Sequence, residues 1–460
     1  MRIFRVSIPT SIVLLVISEN LLIAASYLIG AYFGLDETVY PTPWFYFRYE
    51  SGISQIVFVV LSVQLALYLM DMYDNVAPQS RFQLLQQLSL ALGGAFLLQA
   101  VVGYAKWTPL QLPQWTMIYG SITVLVFIPS WRILYSALVN KALPGQPILF
   151  LRCTPVVREI AARLAERPES GFRVVGYLGN QEPDCEIPWM GPMDRLRAVV
   201  EDRTISIVAD VHLDPALLTE LLELKISGVE IQPALDLYET IFGRIPIRAL
   251  PAEQLVFSTQ FGPQPWTLQA QTLYSYLLGL VGMILSLPLI VISAVLVKLS
   301  SPGPVLYRQQ RVGRRGKLFY LYKFRSMYVD AEARSGPVWA TKDDPRITPV
   351  GRWLRKLRLD ELPQFFNVLR GEMALVGPRP ERPEFCTLLE QKIPYFHQRH
   401  LVKPGISGWA QINHKYGDTI EDSVVKLEYD LYYVKHLAPT LDAFIMFHTI
   451  KVMLLSRGAQ

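Results

Sequence analysis

Cysteine is scarce in this 460-residue chain: Cys153, Cys185 and Cys386 stand far apart, with no C-x-x-C spacing. That excludes a cysteine-ligated zinc module, argues against a disulfide framework and suits a reducing compartment, with Cys386 inert. Charged residues are only 18% of the chain, below the roughly 25% usual for soluble domains. Histidines number six; His397, His400 and His414 gather near the C-terminal end, but their spacing is no metal signature and favours packing or hydrogen bonding. An aromatic-basic platform is lacking, which excludes a nucleic-acid partner. A small-residue cleavage site is missing after the first apolar run, so a cleaved signal peptide is not expected.

What is abundant is apolar sequence, 51% of residues with mean hydropathy +0.26. Four long runs come first, Ser11–Phe33, Ile53–Met70, Leu84–Tyr104 and Trp115–Val139, each near the ~20 residues that cross a bilayer as a helix. Arg2 and Arg5 precede the first run, and Arg132 and Lys141 lie at the end of the fourth. Asp36, Glu37 and Glu50 lie between the first two. This asymmetry predicts a cytoplasmic N-terminus and a four-helix transmembrane block over 1–145. None of the runs carries a central charge pair, which favours an anchor or assembly surface over an ion path.

From 146 to 265 short β-rich runs alternate with helical ones. Strands are expected at Pro147–Leu151, Phe172–Leu178, Ile205–Ala209 and Val229–Gln232. Helices are expected at Pro155–Arg167, Met193–Glu201 and Pro215–Ile226. Alternation of this kind predicts a parallel sheet with crossover helices, a Rossmann-like α/β domain. At the first strand-to-helix turn stands Arg152-Cys153-Thr154-Pro155, without the glycines that a pyrophosphate needs, so a structural or regulatory role is the better reading.

A fifth apolar run, Tyr274–Val297, carries Pro288 at its centre. From Lys298 onward 26 Lys+Arg face 16 Asp+Glu, net +10, against 18 and 23 elsewhere, net −5. Carrying so basic a segment across a membrane runs against the positive-inside tendency. A helix bent at Pro288 that enters and leaves by one face, over 266–300, satisfies both features, although a tilted span with a tolerated proline is the simpler alternative.

Within the basic segment, Leu362, Phe365, Phe366 and Leu369 mark one apolar helix face. Pro363 is tolerated only in a first turn, so the helix is expected to begin at about Asp360-Glu361. Two carboxylates at a helix N-terminus among Arg352, Arg355, Lys356 and Arg358 could be simple capping. They could equally be a nucleophile and a metal ligand for phosphoryl transfer, which needs mainly positioning and charge neutralisation. Trp353-Leu354-Arg355-Lys356-Leu357-Arg358 also reads as a basic helix at a membrane surface.

In order, the chain presents Ser301-Pro302-Gly303-Pro304, Tyr322-Lys323-Phe324-Arg325, Asp344-Pro345-Arg346-Ile347-Thr348, Leu359-Asp360-Glu361-Leu362-Pro363, Val376-Gly377-Pro378-Arg379-Pro380 and Lys403-Pro404-Gly405-Ile406-Ser407-Gly408-Trp409. From about Thr272 to the end this resembles the bacterial sugar transferases, the monotopic polyprenyl-phosphate phosphoglycosyl transferases. The membrane block and the worn Rossmann-like domain resemble the large members associated with exopolysaccharide loci. The resemblance implies transfer of a hexose-1-phosphate from a UDP-sugar to undecaprenyl phosphate with release of UMP. This is the first membrane step of exopolysaccharide, capsule or O-antigen synthesis. It implies Asp360 as nucleophile, forming an aspartyl phosphosugar, with Glu361 as its catalytic partner that joins Asp360 in holding Mg²⁺ or activates the lipid phosphate. Lys323, Arg325, Arg355, Pro378, Arg379 and Pro380 would bind substrate, Pro288 would kink the re-entrant helix, and Asp430 and Asp442 would be accessory acids. Where the family often has Ser-Pro at the kink, this chain has Leu287-Pro288, with Ser286 one position earlier.

The expected architecture is thus a membrane protein with four N-terminal transmembrane helices and a Rossmann-like α/β domain. A re-entrant helix then leads into an α-rich α+β catalytic domain over 301–460, on the cytoplasmic face of the bacterial inner membrane. Membrane lipids and a homodimer partner are implied as well. A non-catalytic membrane scaffold for a polysaccharide assembly complex is the rival reading.

Overall fold

In the computed structural model the apolar runs become helices, and the structure describes the chain except residues 1, 4–5, 8–9, 37, 39, 41, 71, 74–80, 143–144, 168–169, 202–204, 210–213, 253–261, 330–343, 415–418 and 455–460. The junction expected at Pro144 falls outside the described residues. The chain divides into two compact units, Ile8–Pro233 and Ala234–Gln460, and Arg2–Ser7 belongs with the second. Within Arg2–Ser7, β1 (Arg2–Ile3) pairs antiparallel with β2 (Val6–Ser7).

The first unit begins with α1 (Thr10–Gly34), α2 (Pro43–Tyr49), α3 (Gly52–Leu69), α4 (Arg81–Tyr104) and α5 (Gln114–Ala142). Ile23, Tyr27, Val59, Leu67, Leu88 and Val124 pack inside the bundle, while Leu21, Leu61, Leu97 and Val126 point outward. Apolar residues both inside and outside are what a lipid-facing bundle requires.

No run carries a charge pair of its own, but the first and the fourth share one. Glu19 of α1 and Arg132 of α5 are buried together, Arg132 donating from Nε at 2.6 Å and from Nη2 at 3.1 Å. Arg132 Nη1 donates to the Met72 carbonyl and Tyr73 Oη to Glu19, each at 2.6 Å. Each run carries one of the charges, so only helix packing reveals that they neutralise each other. A bidentate pair with its remaining groups hydrogen-bonded is a structural tie rather than a conduit.

A five-stranded parallel sheet follows in the order β5 (Trp189–Gly191), β4 (Phe172–Leu178), β3 (Gln146–Phe150), β6 (Ser206–Ala209) and β7 (Ile231–Pro233). Helices α6 (Pro155–Glu166), α7 (Leu196–Glu201) and α8 (Pro215–Ile226) connect the strands. Ile148, Leu149 and Phe150 are fully buried, as a central parallel strand demands.

The first strand-to-helix turn is closed differently from what cysteine spacing suggests: Cys153 and Cys185 form a disulfide, with Cα atoms 6.4 Å apart. Cys153 follows β3 and Cys185 lies in the connection after β4. These strands are neighbours, so the parallel sheet brings both residues to one edge. A separation of 32 residues carries no local signal of that meeting.

In the second unit α9 (Ala234–Phe242) packs with the C-terminal part rather than with the sheet domain expected to run to residue 265. Ile245 and Ile247 share a core with Trp409, Leu431 and Tyr433. Helix α10 (Pro265–Ser300) is longer than the expected run and continues through Pro288. Pro288 leaves the Ile284 carbonyl without its helical donor. Ser286 Oγ donates instead to the Met283 carbonyl, at 3.3 Å.

The hairpin of β8 (Leu306–Val312) and β9 (Leu318–Phe324) follows, then α11 (Pro349–Lys356) and α12 (Gln364–Leu369). Strand β10 (Ala374–Val376) pairs parallel with β11 (Gly405–Ser407). Helices α13 (Pro383–Lys392), α14 (Trp409–Asn413), α15 (Ile420–His436) and α16 (Pro439–Leu454) complete the unit. Among the described residues five helices are long and apolar enough to cross a membrane, four in the first unit and α10. The chain is a multi-pass membrane protein.

Candidate active site

Asp360 and Glu361 do not sit inside a helix. They form a 3₁₀ turn, Leu359–Glu361, entered through Arg358 at φ 57°, and Pro363 is the N-cap of the six-residue α12. The helix is shorter than the apolar spacing predicts, because Leu362 belongs to the turn and Gly371, at φ 76°, ends the segment.

Three contacts hold the turn in place. Phe365 and Val368 press on α10 where Gly279 and Gly282 leave a notch. A Cβ at Gly282 would lie 2.8 Å from the Phe365 ring, and one at Gly279 would lie 3.0 Å from Val368. Asn367, fully buried, accepts from Tyr322 N–H at 3.1 Å and donates to the Tyr320 carbonyl at 2.7 Å. Leu359 and Leu362 pack with Ile290 and Val297 of α10. Asn367 therefore sets β9 against α12, and Lys323 of β9 faces the acidic turn.

Glu361 Oε1 accepts from Arg379 Nη2 at 2.8 Å and from Lys323 Nζ at 3.1 Å, with Arg358 Nη1 3.7 Å away. Burial pushes the Glu361 carboxyl up, but Arg379, Lys323 and Arg358 outweigh it and hold the group well below its ordinary value. Asp360 behaves oppositely. Burial, and then the Glu361 charge, raise its pKa above the ordinary value, against the opposing pull of Lys323, Arg355 and Arg358. A full helix behind Asp360 would pull its pKa down, but the turn is only three residues long and the strongest cations bond its neighbour. Among the described residues neither Asp360 Oδ1 nor Arg355 Nη1, both buried, has a hydrogen-bond partner.

Arg379 is held through its own backbone. Its carbonyl accepts from Arg399 Nη2 at 2.9 Å, the Pro378 carbonyl from Gly405 N–H at 3.0 Å, and the Pro380 carbonyl from Arg311 Nη1 at 3.0 Å. Gly377 permits this approach, since a Cβ there would lie 2.3 Å from the Lys403 carbonyl oxygen. Arg399 is paired in turn with buried Asp430 at 2.7 Å. Burial pushes the Asp430 carboxyl up to about 6, against the opposing Arg399 charge.

The remaining expected residues lie one layer out. Arg325 donates from Nη2 to the Ser301 carbonyl at 2.7 Å and to Ser301 Oγ at 2.9 Å, which caps the end of α10. Asp442 accepts from Gln271 at 3.0 Å, from Tyr433 at 2.7 Å and from Tyr274, binding α16 to the start of α10. Burial pushes Asp442 up to about 6. Arg346 pairs with Asp344 at 2.6 Å just before Thr348 caps α11, so that motif shapes the entry to the helix bearing Arg355. Trp353 on the outer side of α11 is exposed, with Lys356 over its ring.

Residues 266–456 match the family model of bacterial sugar transferases. A UDP-N-acetylgalactosamine-undecaprenyl-phosphate N-acetylgalactosaminephosphotransferase of Aeromonas hydrophila is 35% identical over 382 residues, 80% of this chain and 88% of that protein. A UDP-glucose:undecaprenyl-phosphate glucose-1-phosphate transferase of Xanthomonas campestris pv. campestris is 33% identical over 377 residues, 77% of each chain. An undecaprenyl-phosphate galactose phosphotransferase of Salmonella typhimurium is 29% identical over 391 residues, 78% of each.

The chain belongs to the bacterial sugar transferases. It is a transferase enzyme, which removes the ground for a purely non-catalytic scaffold. The acidic turn, Lys323 and Arg379 all fall inside the part matched by the family model. For this transferase, sequence reading singled out the acidic turn and Arg379 but missed Asn367, Arg311 and Arg399. The last two lie in no helical or strand pattern that points to Arg379. Their roles depend on contacts spanning 69 and 20 residues.

Proposed function

We propose that this transferase moves a sugar-1-phosphate from a UDP-sugar to undecaprenyl phosphate in two displacements at Asp360. In the first, an Asp360 oxygen forms a bond to the sugar-bearing phosphorus and the anhydride P–O bond breaks. UMP leaves with the bridging oxygen. In the second, a phosphate oxygen of the lipid attacks the same phosphorus and the acyl-phosphate P–O bond breaks. Asp360 is regenerated as its carboxylate, and undecaprenyl diphosphate-sugar departs. One anhydride replaces another, so no further energy source is needed.

The observation that carries the reading is the contrast between two adjacent carboxylates. Glu361 has its charge matched by Arg379 and Lys323, while Asp360 keeps a buried oxygen without a partner among the described residues. A nucleophile needs a free lone pair, and Asp360 has one. Lys323, Arg355 and Arg379 would balance the charge spread over phosphate oxygens. The unpartnered oxygen and the all-oxygen donor set suit Mg²⁺, which Asp360 and Glu361 would hold. When bound, that ion supplies charge neutralisation at the phosphates.

The same reading has α10 enter and leave the membrane by the cytoplasmic face of the inner membrane. Support comes from Pro288, from the basic sequence after Lys298 and from the contacts of Gly279 and Gly282 with α12. The names of the similar transferases carry three different sugars, so the sugar is left to a panel of UDP-sugars. UMP release is measured with each in the presence of undecaprenyl phosphate. One sugar should stand out, and Asp360→Ala should abolish the release. Turnover by Asp360→Ala at the parent rate would refute the mechanism.

A further inference from the structure

Glu390, His397 and His400 are brought together by the fold although their spacing carries no metal signature. His397 and His400 lie three apart in a 3₁₀ segment, Phe396–Leu401, and a 3₁₀ helix places residues i and i+3 above one another. Their rings stand 5.5 Å apart. Glu390, near the end of α13, reaches the same place, with Oε1 3.3 Å from His397 Nδ1. One ligand atom from each of the three lies within 4.8 Å of the others. Bonds of ~2.0–2.1 Å in a tetrahedral zinc site separate neighbouring ligand atoms by about 3.4 Å, which the Glu390–His397 pair already matches.

His400 is unlike an ordinary packed histidine. It is only 7% exposed, yet its buried Nδ1 has no hydrogen-bond partner among the described residues. A buried polar atom left unsatisfied is destabilising until something binds it. The Arg399 charge, which would oppose a nearby cation, is matched by Asp430 at 2.7 Å.

The geometry points to a transition-metal site formed by Glu390, His397 and His400, taking Zn²⁺ or a similar borderline ion. Two imidazoles and one carboxylate are the donors such ions prefer over Mg²⁺. Three protein ligands leave a fourth position for water. The ion would join the end of α13 to the 3₁₀ segment that carries Arg399, the residue bonded to the Arg379 carbonyl. The site is separate from the acidic turn and does not depend on the proposed phosphoryl chemistry.

The test uses the full chain in detergent, stripped with chelator and kept in excess Mg²⁺. It is titrated with Zn²⁺ against a chromogenic competitor, and with Co²⁺ as an absorption probe. His397→Ala and Glu390→Gln are the variants of choice, because both side chains are well exposed (64% and 41%) and their loss should leave the fold intact. The wild type should bind one more equivalent of Zn²⁺ than His397→Ala and show tetrahedral Co²⁺ bands. Glu390→Gln should bind at least ~10-fold more weakly. Equal Zn²⁺ isotherms for wild type and both variants would overturn the site, as would failure of the wild type to bind.

Discussion

Arg379 donates from Nη2 to Glu361 Oε1 at 2.8 Å while the carbonyl of the same arginine accepts from Arg399. Arg379 is therefore fixed at both its side chain and its backbone. A lysine at this position would keep the charge but lose the planar fork. Arg379→Lys should lower kcat/KM by about 10²–10³, the scale for losing one preorganised charge-stabilising donor. Steady-state UMP release checks this, and a loss under threefold would argue against the role.

Asp430 acts at one remove. Its pairing with Arg399 is buried, and leaving such a charge uncompensated costs about 3–5 kcal/mol. Asp430→Asn should lower the thermal midpoint and raise KM for the UDP-sugar through displacement of Arg379. Scanning fluorimetry alongside initial rates separates the two effects. An unchanged midpoint would show that the pair contributes nothing.

The pH profile follows from the opposite shifts of the two carboxylates. Glu361, held low, stays ionised across the working range, so it contributes no limb there. Asp360 is raised, so activity is lost as pH falls through a pKa above the ordinary Asp value of roughly 3.9. Glu361→Gln removes the neighbouring negative charge. The acid limb of its residual kcat/KM should shift to lower pH. A shift to higher pH would reverse the assignment of the coupling.

The notch on α10 is a packing requirement. Gly282→Val would put methyl groups where the Phe365 ring stands, with overpacking costing about 1–3 kcal/mol. Because Phe365 and the acidic turn belong to one short segment, its displacement by about 1 Å should cost roughly 10² in turnover. Rates and stability of Gly282→Val and Gly282→Ala compared side by side read this out. Wild-type rates in the valine variant would show that the notch does not position the turn.

Thiol counting tests the sheet domain. Cys386 is buried, and burial pushes its thiol up to about 11, so the folded protein should resist alkylation. Denaturation without reductant should expose one thiol, and reduction three. Three thiols before reduction would mean that Cys153 and Cys185 are not joined.

Much of this is legible in the sequence. Helices such as Pro215–Ile226 announce themselves by period, with Leu217, Leu221 and Leu224 buried on one face, and strands such as Phe172–Leu178 by their short β-rich runs. The acidic turn and Arg379 were visible from their motifs. What stayed hidden depends on pairing between distant segments. Glu19 with Arg132, Cys153 with Cys185 and Arg399 with Asp430 each join residues whose neighbours say nothing about the partner. The direction of the Asp360 shift is hidden for a related reason: its sign depends on which carboxylate the cations bond, a matter of side-chain direction rather than spacing.

The proposal that Asp360 becomes phosphorylated by the sugar phosphate is open to direct weighing. The purified protein is incubated with the UDP-sugar but no lipid phosphate, quenched in acid, and its intact mass is recorded. A gain of one phosphosugar is the predicted result, absent in Asp360→Asn and discharged when undecaprenyl phosphate is added. An unchanged mass under conditions where adding the lipid gives full turnover would contradict the covalent step.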